Sequence, residues 1–307
     1  MVKLFLLIFL GLFSSALAVT DSIGLNISSD ATVRYVTVKS FTAQGIQDAI
    51  DQVSSSNGEI YLPAGVYDMR VTANANANAK VLINKSVNLS GAGIGTVISA
   101  VSANGTTMFD VSSNDISISN MYFYGSDTTN GELNDGKIGV NNTSGIANRL
   151  TVENCYFRAW AEAISSTVGN ASVNWKIKNN TFEFAGSALP SPNYAIHLNG
   201  QNFCSIENNY FDNIDGTSVF LDASLNTTIF GNRIIVDTGG ARAIWLNAAS
   251  YSVVSGNSID SQTTGTLLVE IGGSTDSSVV VGNSLDQGAS GTEILNGGTN
   301  TVAASNS

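Results

Sequence analysis

From about residue 107 onward the chain repeats one pattern of apolar and polar positions. In ISNMYF, VENCYF, IKNNTF, IENNYF, IFGNRI, VSGNSI and VVGNSL an aliphatic residue stands three places before a key position, and an apolar residue stands two places after it. The key positions are Met121, Cys155, Asn180, Asn209, Asn232, Asn257 and Asn283, separated by 34, 25, 29, 23, 25 and 26 residues. A period of this size predicts stacked supersecondary units. Each unit has a second apolar run upstream of the first: KIGVN, EAISS, YAIHLN, SVFLDA, RAIWLN and LVEIG. The runs are short and rich in Val, Ile and Phe, which predicts strands, and helical periodicity is almost absent among them. Successive units therefore predict coils of two or three strands, each strand pairing in parallel with its copy in the next coil. Aliphatic side chains point inward, and the recurring Asn bonds up and down the stack as a ladder at one corner.

The N-terminal part reads differently. Residues 19–41 look extended. Ile46, Ala49, Ile50 and Val53 then fall at i, i+3, i+4 and i+7, one face of a helix that residues 54–58 end. EIYLPAGVYDM predicts two short strands around Pro63-Ala64-Gly65, and VLINKSVNLSGAG a further pair. A stack of parallel coils has two open edges, and the amphipathic helix is the natural cap for the first. The sequence GGTNTVAASNS is too polar to cap the second, which predicts self-association through that end or a chain that is one piece of something longer. The domain reading is a signal peptide over 1–18 and one β-helix domain over 19–300. Within that domain the cap and first coils occupy about 40–95 and the repeats about 107–295, and 301–307 is read as a flexible tail.

Composition narrows the partners. With 13 Lys+Arg against 24 Asp+Glu the formal net charge is -11, which disfavours nucleic acid and anionic membranes. It also disfavours a polyanionic substrate unless a metal bridges the charges. Lys3, the apolar stretch 4–13 and Ala16-Leu17-Ala18 have the layout of a secretory signal, and no later segment reaches membrane-spanning length, so a secreted or cell-surface location is expected. Sequons stand at Asn26, Asn84, Asn88, Asn104, Asn141, Asn142, Asn170, Asn179 and Asn226, and matter if the host glycosylates secreted proteins. Cys155 and Cys204 lie two coils apart in the repeat register, roughly 9–10 Å, so two reduced and mostly buried thiols are expected.

Three stretches carry a resemblance: Gly45-Ile46-Gln47-Asp48-Ala49-Ile50, the run GEIYLPAGVY from Gly58 to Tyr67, and the run VNLSGAG from Val87 to Gly93. Together with the I-x-N-N-x-F units they resemble the pectate lyase-like superfamily of right-handed parallel β-helix proteins. The resemblance implies an all-β fold, a single-stranded right-handed parallel β-helix with a short N-terminal capping helix. It does not select an activity, because that superfamily includes lyases, polysaccharide hydrolases, uronan epimerases, tailspikes and adhesins.

The candidate chemistry lies on the upstream strands. If Ile196 and Leu198 point inward, His197 and Asn199 point outward, with Phe220 and Asp222 in the same columns one coil on, then Trp245 and Asn247, and Glu270 continuing the first column. Aromatic rings flanked by amides and a carboxylate suit sugar rings and hydroxyls. His197 is the only histidine of the chain and the candidate base, with Asp222 as its acidic partner and Arg242 close by. The competing reading is a solvent-facing histidine without a role, beside aromatics that cover a loop or a neighbouring chain. Hydrolysis calls for two carboxylates at a set separation, and only Asp222 is secure on this face.

Arg158 beside Glu183, and Glu153, Lys178 and Glu207 on successive coils, read as structural ion pairs, with Asp212, Asp260 and Asp286 in a register similar to Glu183. Asp127, Glu132 and Asp135 in the insertion 125–136 lack the spacing of a calcium loop and read as solvated, although Ca²⁺ stays open as a cofactor. One histidine and two separated cysteines leave no pattern for zinc or Cys-His chemistry. The leading expectation is a secreted carbohydrate-active protein that binds a polysaccharide or cell-surface glycan and acts as a lyase or glycoside hydrolase. The alternative is a non-catalytic adhesin, sheath or spike.

Overall fold

In the computed structural model the described residues are 33–53, 57–70, 79–100, 107–125, 138–143, 146–166, 172–183, 194–214, 216–237, 241–263, 265–287, 292–304 and 306. Residues 1–18, the acidic insertion and the sequons at Asn26, Asn104 and Asn170 therefore lie outside them. Arg34–Ser307 form one unit.

Each coil visits three strands in turn. Lys176–Lys178, Thr181–Glu183 and Tyr194–Asn199 make one coil, and Ser205–Glu207 opens the next. Stacking gives three sheets of eleven, nine and nine strands, every pairing parallel. The first sheet runs from Tyr35–Thr37 to Val302–Ala304, the second from Gly65–Asp68 to Ser284–Gln287, and the third from Ala79–Ile83 to Thr292–Asn296. The coil winds as a right-handed parallel β-solenoid.

The core follows from register. Val152, Ile177, Ile206, Ile229, Val254 and Val280 occupy one fully buried column of the first sheet. Behind the second sheet Phe123, Phe157, Phe182 and Phe211 stack face to face with centroids 4.6, 5.2 and 4.8 Å apart. Identical residues at identical positions extend one another's contact surface, so the pattern of each coil reinforces the next.

The corner between the first and second sheets explains the key Asn. The residue before each key position has a left-handed backbone: Asn120, Asn154, Asn179 and Asn208 at φ 54–57°, then Gly231, Gly256 and Gly282 at φ 64–68°. Asn and Gly tolerate that conformation best, which is why the repeats read N-N and later G-N. The turn leaves backbone groups of the key residue facing along the axis. Asn180, Asn209, Asn232 and Asn257 each donate their backbone N–H to the Oδ1 of the next Asn at 2.9–3.1 Å. Their Nδ2 groups donate to Val152, Ile177, Ile206 and Ile229 carbonyls of the coil below at 2.9–3.0 Å. Cys155 closes the lower end by donating its N–H to Asn180 Oδ1.

The upper end departs from the expected tail. Val302–Ala304 pairs in register with Val279–Val281 as the last strand of the first sheet, and Asn306 accepts from Asn283 N at 3.1 Å as one more ladder rung. The physical reason is that Ala303 and Asn306 repeat the three-residue spacing of the ladder in a smaller, more polar guise.

The helix spans Ala43–Gln52, capped by Thr42 Oγ1 accepting from Gly45 N, with Ile46, Ala49 and Ile50 buried. It sits against the edge of the third sheet. Gln47 Oε1 accepts from Leu82 N at 2.9 Å and Gln47 Nε2 donates to Leu82 O at 3.3 Å, so one side-chain amide takes the place of a missing strand. Lys85 Nζ donates to the carbonyls of Ile50, Asp51 and Val53 at the helix C-terminus.

Both cysteines are free and buried, in accord with the register argument. Lys178 pairs with Glu153 at 2.9 Å, and Arg158 with Glu183 at 3.8 Å. Among the sequons within the described residues, Asn84, Asn88, Asn179 and Asn226 are exposed, whereas Asn141 and Asn142 are buried in a third-sheet strand and inaccessible in the folded chain.

Candidate functional site

The outward face of the third sheet carries the expected columns. His197, Phe220, Trp245 and Glu270 stand in register on four successive coils, and Asn199, Asp222 and Asn247 on three. Ile196 and Leu198 are fully buried behind them. The first column also extends downward through Ser165, Asn141 and Asp110, all buried.

A third column was not anticipated. Ala195 and Ile196 are both fully buried, so strict alternation breaks there, and Tyr194 emerges on the same side as His197 with ring centroids 4.8 Å apart. The same break at Ala163-Ile164 and Ala243-Ile244 places Glu162 and Arg242 beside it. A small residue directly before the inward aliphatic recurs as Gly139-Val140, Ala163-Ile164, Ala195-Ile196, Ser218-Val219 and Ala243-Ile244, and this was the available signal.

The rings do not stand open. His197 stacks on Phe220 at 4.9 Å and Phe220 on Trp245 at 4.3 Å, while the Arg242 guanidinium lies over Trp245, 4.4 Å from its centroid. Tyr194 closes on both His197 and Phe220. Ring faces are thus used by neighbouring coils, and a ligand meets ring edges rather than the flat faces expected from the sequence. Arg242 also pairs with Glu270.

The carboxylate facing His197 is Glu162, its Oε2 3.7 Å from Nδ1 with side-chain exposures of 18 and 15%. Asp222 instead accepts at Oδ1 from Asn247 Nδ2 at 2.8 Å, one coil above and to the side. Burial, and after it the Glu162 charge, push the Tyr194 hydroxyl above its usual range. Asp110 is likewise raised by burial, against hydrogen bonds from Thr143 N and Oγ1 at 2.9 and 2.6 Å.

The most informative feature is what stays unpaired. Asn141 Oδ1, Ser165 Oγ, both ring nitrogens of His197, Glu162 Oε2 and Trp245 Nε1 are buried without a hydrogen-bond partner. Four of these five residues belong to one column, spanning four rung steps or about 19 Å. Each such atom left unsatisfied costs about 1–3 kcal/mol. Among the described residues no three His, Cys, Asp or Glu side chains converge to hold a metal ion. Among them also no helix is long and apolar enough to cross a membrane.

Residues 168–307 match a family model described as right handed beta helix region. No curated protein matches the sequence. The fold is similar to an alginate lyase from Paenibacillus sp. str. FPU-7, with a TM-score of 0.54 at 14% identity over 86% of this chain and 99% of that one. It is also similar to a mutant tailspike protein of E. coli bacteriophage HK620, with a TM-score of 0.51 at 16% identity over 79% of this chain and 52% of that one. A further tailspike structure from that phage, in complex with pentasaccharide, has a TM-score of 0.51 at 15% identity over 86% of this chain and 56% of that one. The chain thus spans about half of each tailspike chain. At these identities the likeness establishes fold alone: the described residues form the right-handed parallel β-helix expected from the sequence, and residues 168–307 match the family model of that description.

Proposed function

We propose that this is an extracellular carbohydrate-active β-helix protein that binds a polysaccharide along the outward face of the third sheet. The observation that carries the reading is the half-exposed column of Asn199, Asp222 and Asn247, in register on three successive coils beside the ring stack of His197, Phe220 and Trp245. Its two amides donate and accept, and its carboxylate accepts. Sugar hydroxyls donate and accept, and a linear glycan repeats them along one axis at intervals a stack of coils can follow. Asn247 Nδ2 donates to Asp222 Oδ1 at 2.8 Å, which fixes the two side chains side by side on adjacent coils. Tailspike and lyase relatives of the fold, one of them in complex with a pentasaccharide, support the same reading.

If the site is catalytic, His197 and Glu162 form its acid–base pair, with Asp222 as the second carboxylate that glycosidic hydrolysis requires. A specific observation favours the alternative, a non-catalytic spike or adhesin. The ring stack from Tyr194 to Trp245 is closed on itself and serves rigidity as well as recognition.

A glycan panel assayed for binding, new reducing ends and unsaturated uronate absorbance tests both readings. Turnover that disappears in His197→Ala and Glu162→Gln establishes the enzyme. Binding without turnover establishes the adhesin or spike. Binding unchanged in His197→Ala and Asp222→Ala removes the site.

A further inference from the structure

We infer that the glycan taken by this face is uncharged, and not a polyuronate of the kind an alginate lyase would process. The inference rests on the polysaccharide reading above and adds the substrate class to it. Its ground is the sign of the charges that line the outward columns. Glu162, Asp222 and Glu270 stand on three of five consecutive coils, with His197 between the first two, and Asp110 lies lower in the His197 column. Opposite them, the third-sheet strands carry two permanent cations among the described residues, Arg242 and Lys80.

Neither cation is free to receive a carboxylate. Arg242 is held by Glu270 on one side and by the Trp245 ring on the other. Lys80 is 4% exposed on the second-lowest coil, its ammonium disfavoured by burial, and four rungs separate its strand from that of His197.

A polyuronate places one carboxylate on every ring. Laid along this face, its carboxylates would meet Glu162 and Asp222, two coils apart, with no permanent cation between them. A bridging divalent ion would relieve the repulsion, and the runs with and without Ca²⁺ below measure that contribution. The half-exposed Asn199, Asp222 and Asn247 fit hydroxyl and amide partners instead: the amides donate and accept, and the carboxylate accepts. Neutral hexoses and N-acetylhexosamines offer those groups and no charge.

The test is affinity electrophoresis of the full chain through native gels cast with matched polymers. These are polygalacturonate and alginate, each beside its carboxyl-reduced counterpart, together with neutral mannan, galactan and soluble N-acetylated chitin. Runs are made in EDTA and again with added Ca²⁺. The expected result is retardation by at least one uncharged polymer, by neither polyuronate at a tenfold higher loading, and with less than a twofold change on raising the salt. Retardation by alginate or polygalacturonate, with or without Ca²⁺, that exceeds that of the reduced partner overturns the inference and leaves the polysaccharide reading standing. Retardation by no polymer at all overturns the polysaccharide reading itself, and the inference with it.

Discussion

His197 and Glu162 face each other across one rung of the third sheet, Nδ1 to Oε2 at 3.7 Å, although 35 residues separate them in sequence. Both side chains are more than four-fifths buried, and the atoms that face each other have no hydrogen-bond partner. A pair in this position is energetically coupled. A double-mutant cycle with His197→Ala and Glu162→Ala, read by urea denaturation, is expected to give a coupling of about 1 kcal/mol. Changes that add to within about 0.3 kcal/mol would show that the two groups ignore one another.

The ladder allows a sharper stability prediction. Asn232 accepts from Asn209 N and Nδ2 and donates to Ile206 O, and it is 1% exposed. Asn232→Ala strands buried groups on both neighbouring coils and should cost about 2–4 kcal/mol. Asn283, one rung from the end with a half-buried partner in Asn306, should cost less on the same change. Urea midpoints for the two variants check the order. Equal and small losses would mean that the Asn corner is held by its turn and not by its ladder.

The ladder was legible in the sequence because one residue type returned at one spacing, and parallel stacking is the simplest way for that to happen. The inward columns were legible for the same reason, as was the outward set from His197 to Glu270. Glu162 and Tyr194 were not, because strict alternation assigns them to the inside. Two consecutive buried residues, Ala195 and Ile196, shift the phase of the strand, and only the recurrence of a small residue before the aliphatic hinted at it. The closed ring stack was also out of reach: sequence places aromatics in a column, but whether their faces meet each other or the solvent depends on side-chain rotamers. The final strand escaped notice because Val302–Ala304 and Asn306 hold the spacing with too little apolar bulk to stand out.

The two cysteines should behave as inert core residues. Burial pushes each thiol up to about 12, so at about pH 8 almost none is thiolate, and neither sulfur is exposed to reagent. A water-soluble disulfide reagent added to the native protein is expected to release no chromophore over hours, and two equivalents per chain once guanidinium chloride unfolds it. Prompt reaction of the native chain at either residue would place that coil outside the packed core.

Asp110 gives the protein a pH dependence whose sign is fixed by burial. Its folded-state pKa is raised, with burial the largest cause and the Thr143 hydrogen bonds opposing it. An unfolded Asp titrates at about 3.9, so as pH climbs past that value the unfolded chain releases its proton first. The contribution of Asp110 to stability is therefore complete below that value, declines as pH rises through the folded-state pKa, and stays lost above it. Asp110→Asn keeps an acceptor for Thr143 N and a donor for Thr143 Oγ1 and carries no titrating group. Its urea midpoint should match that of the unaltered protein near about pH 3.5, exceed it increasingly as pH rises, and level off once the folded carboxyl has ionised. A difference that does not change with pH would mean that Asp110 titrates alike in the folded and unfolded chain, and that the lower end of the polar column is open to water.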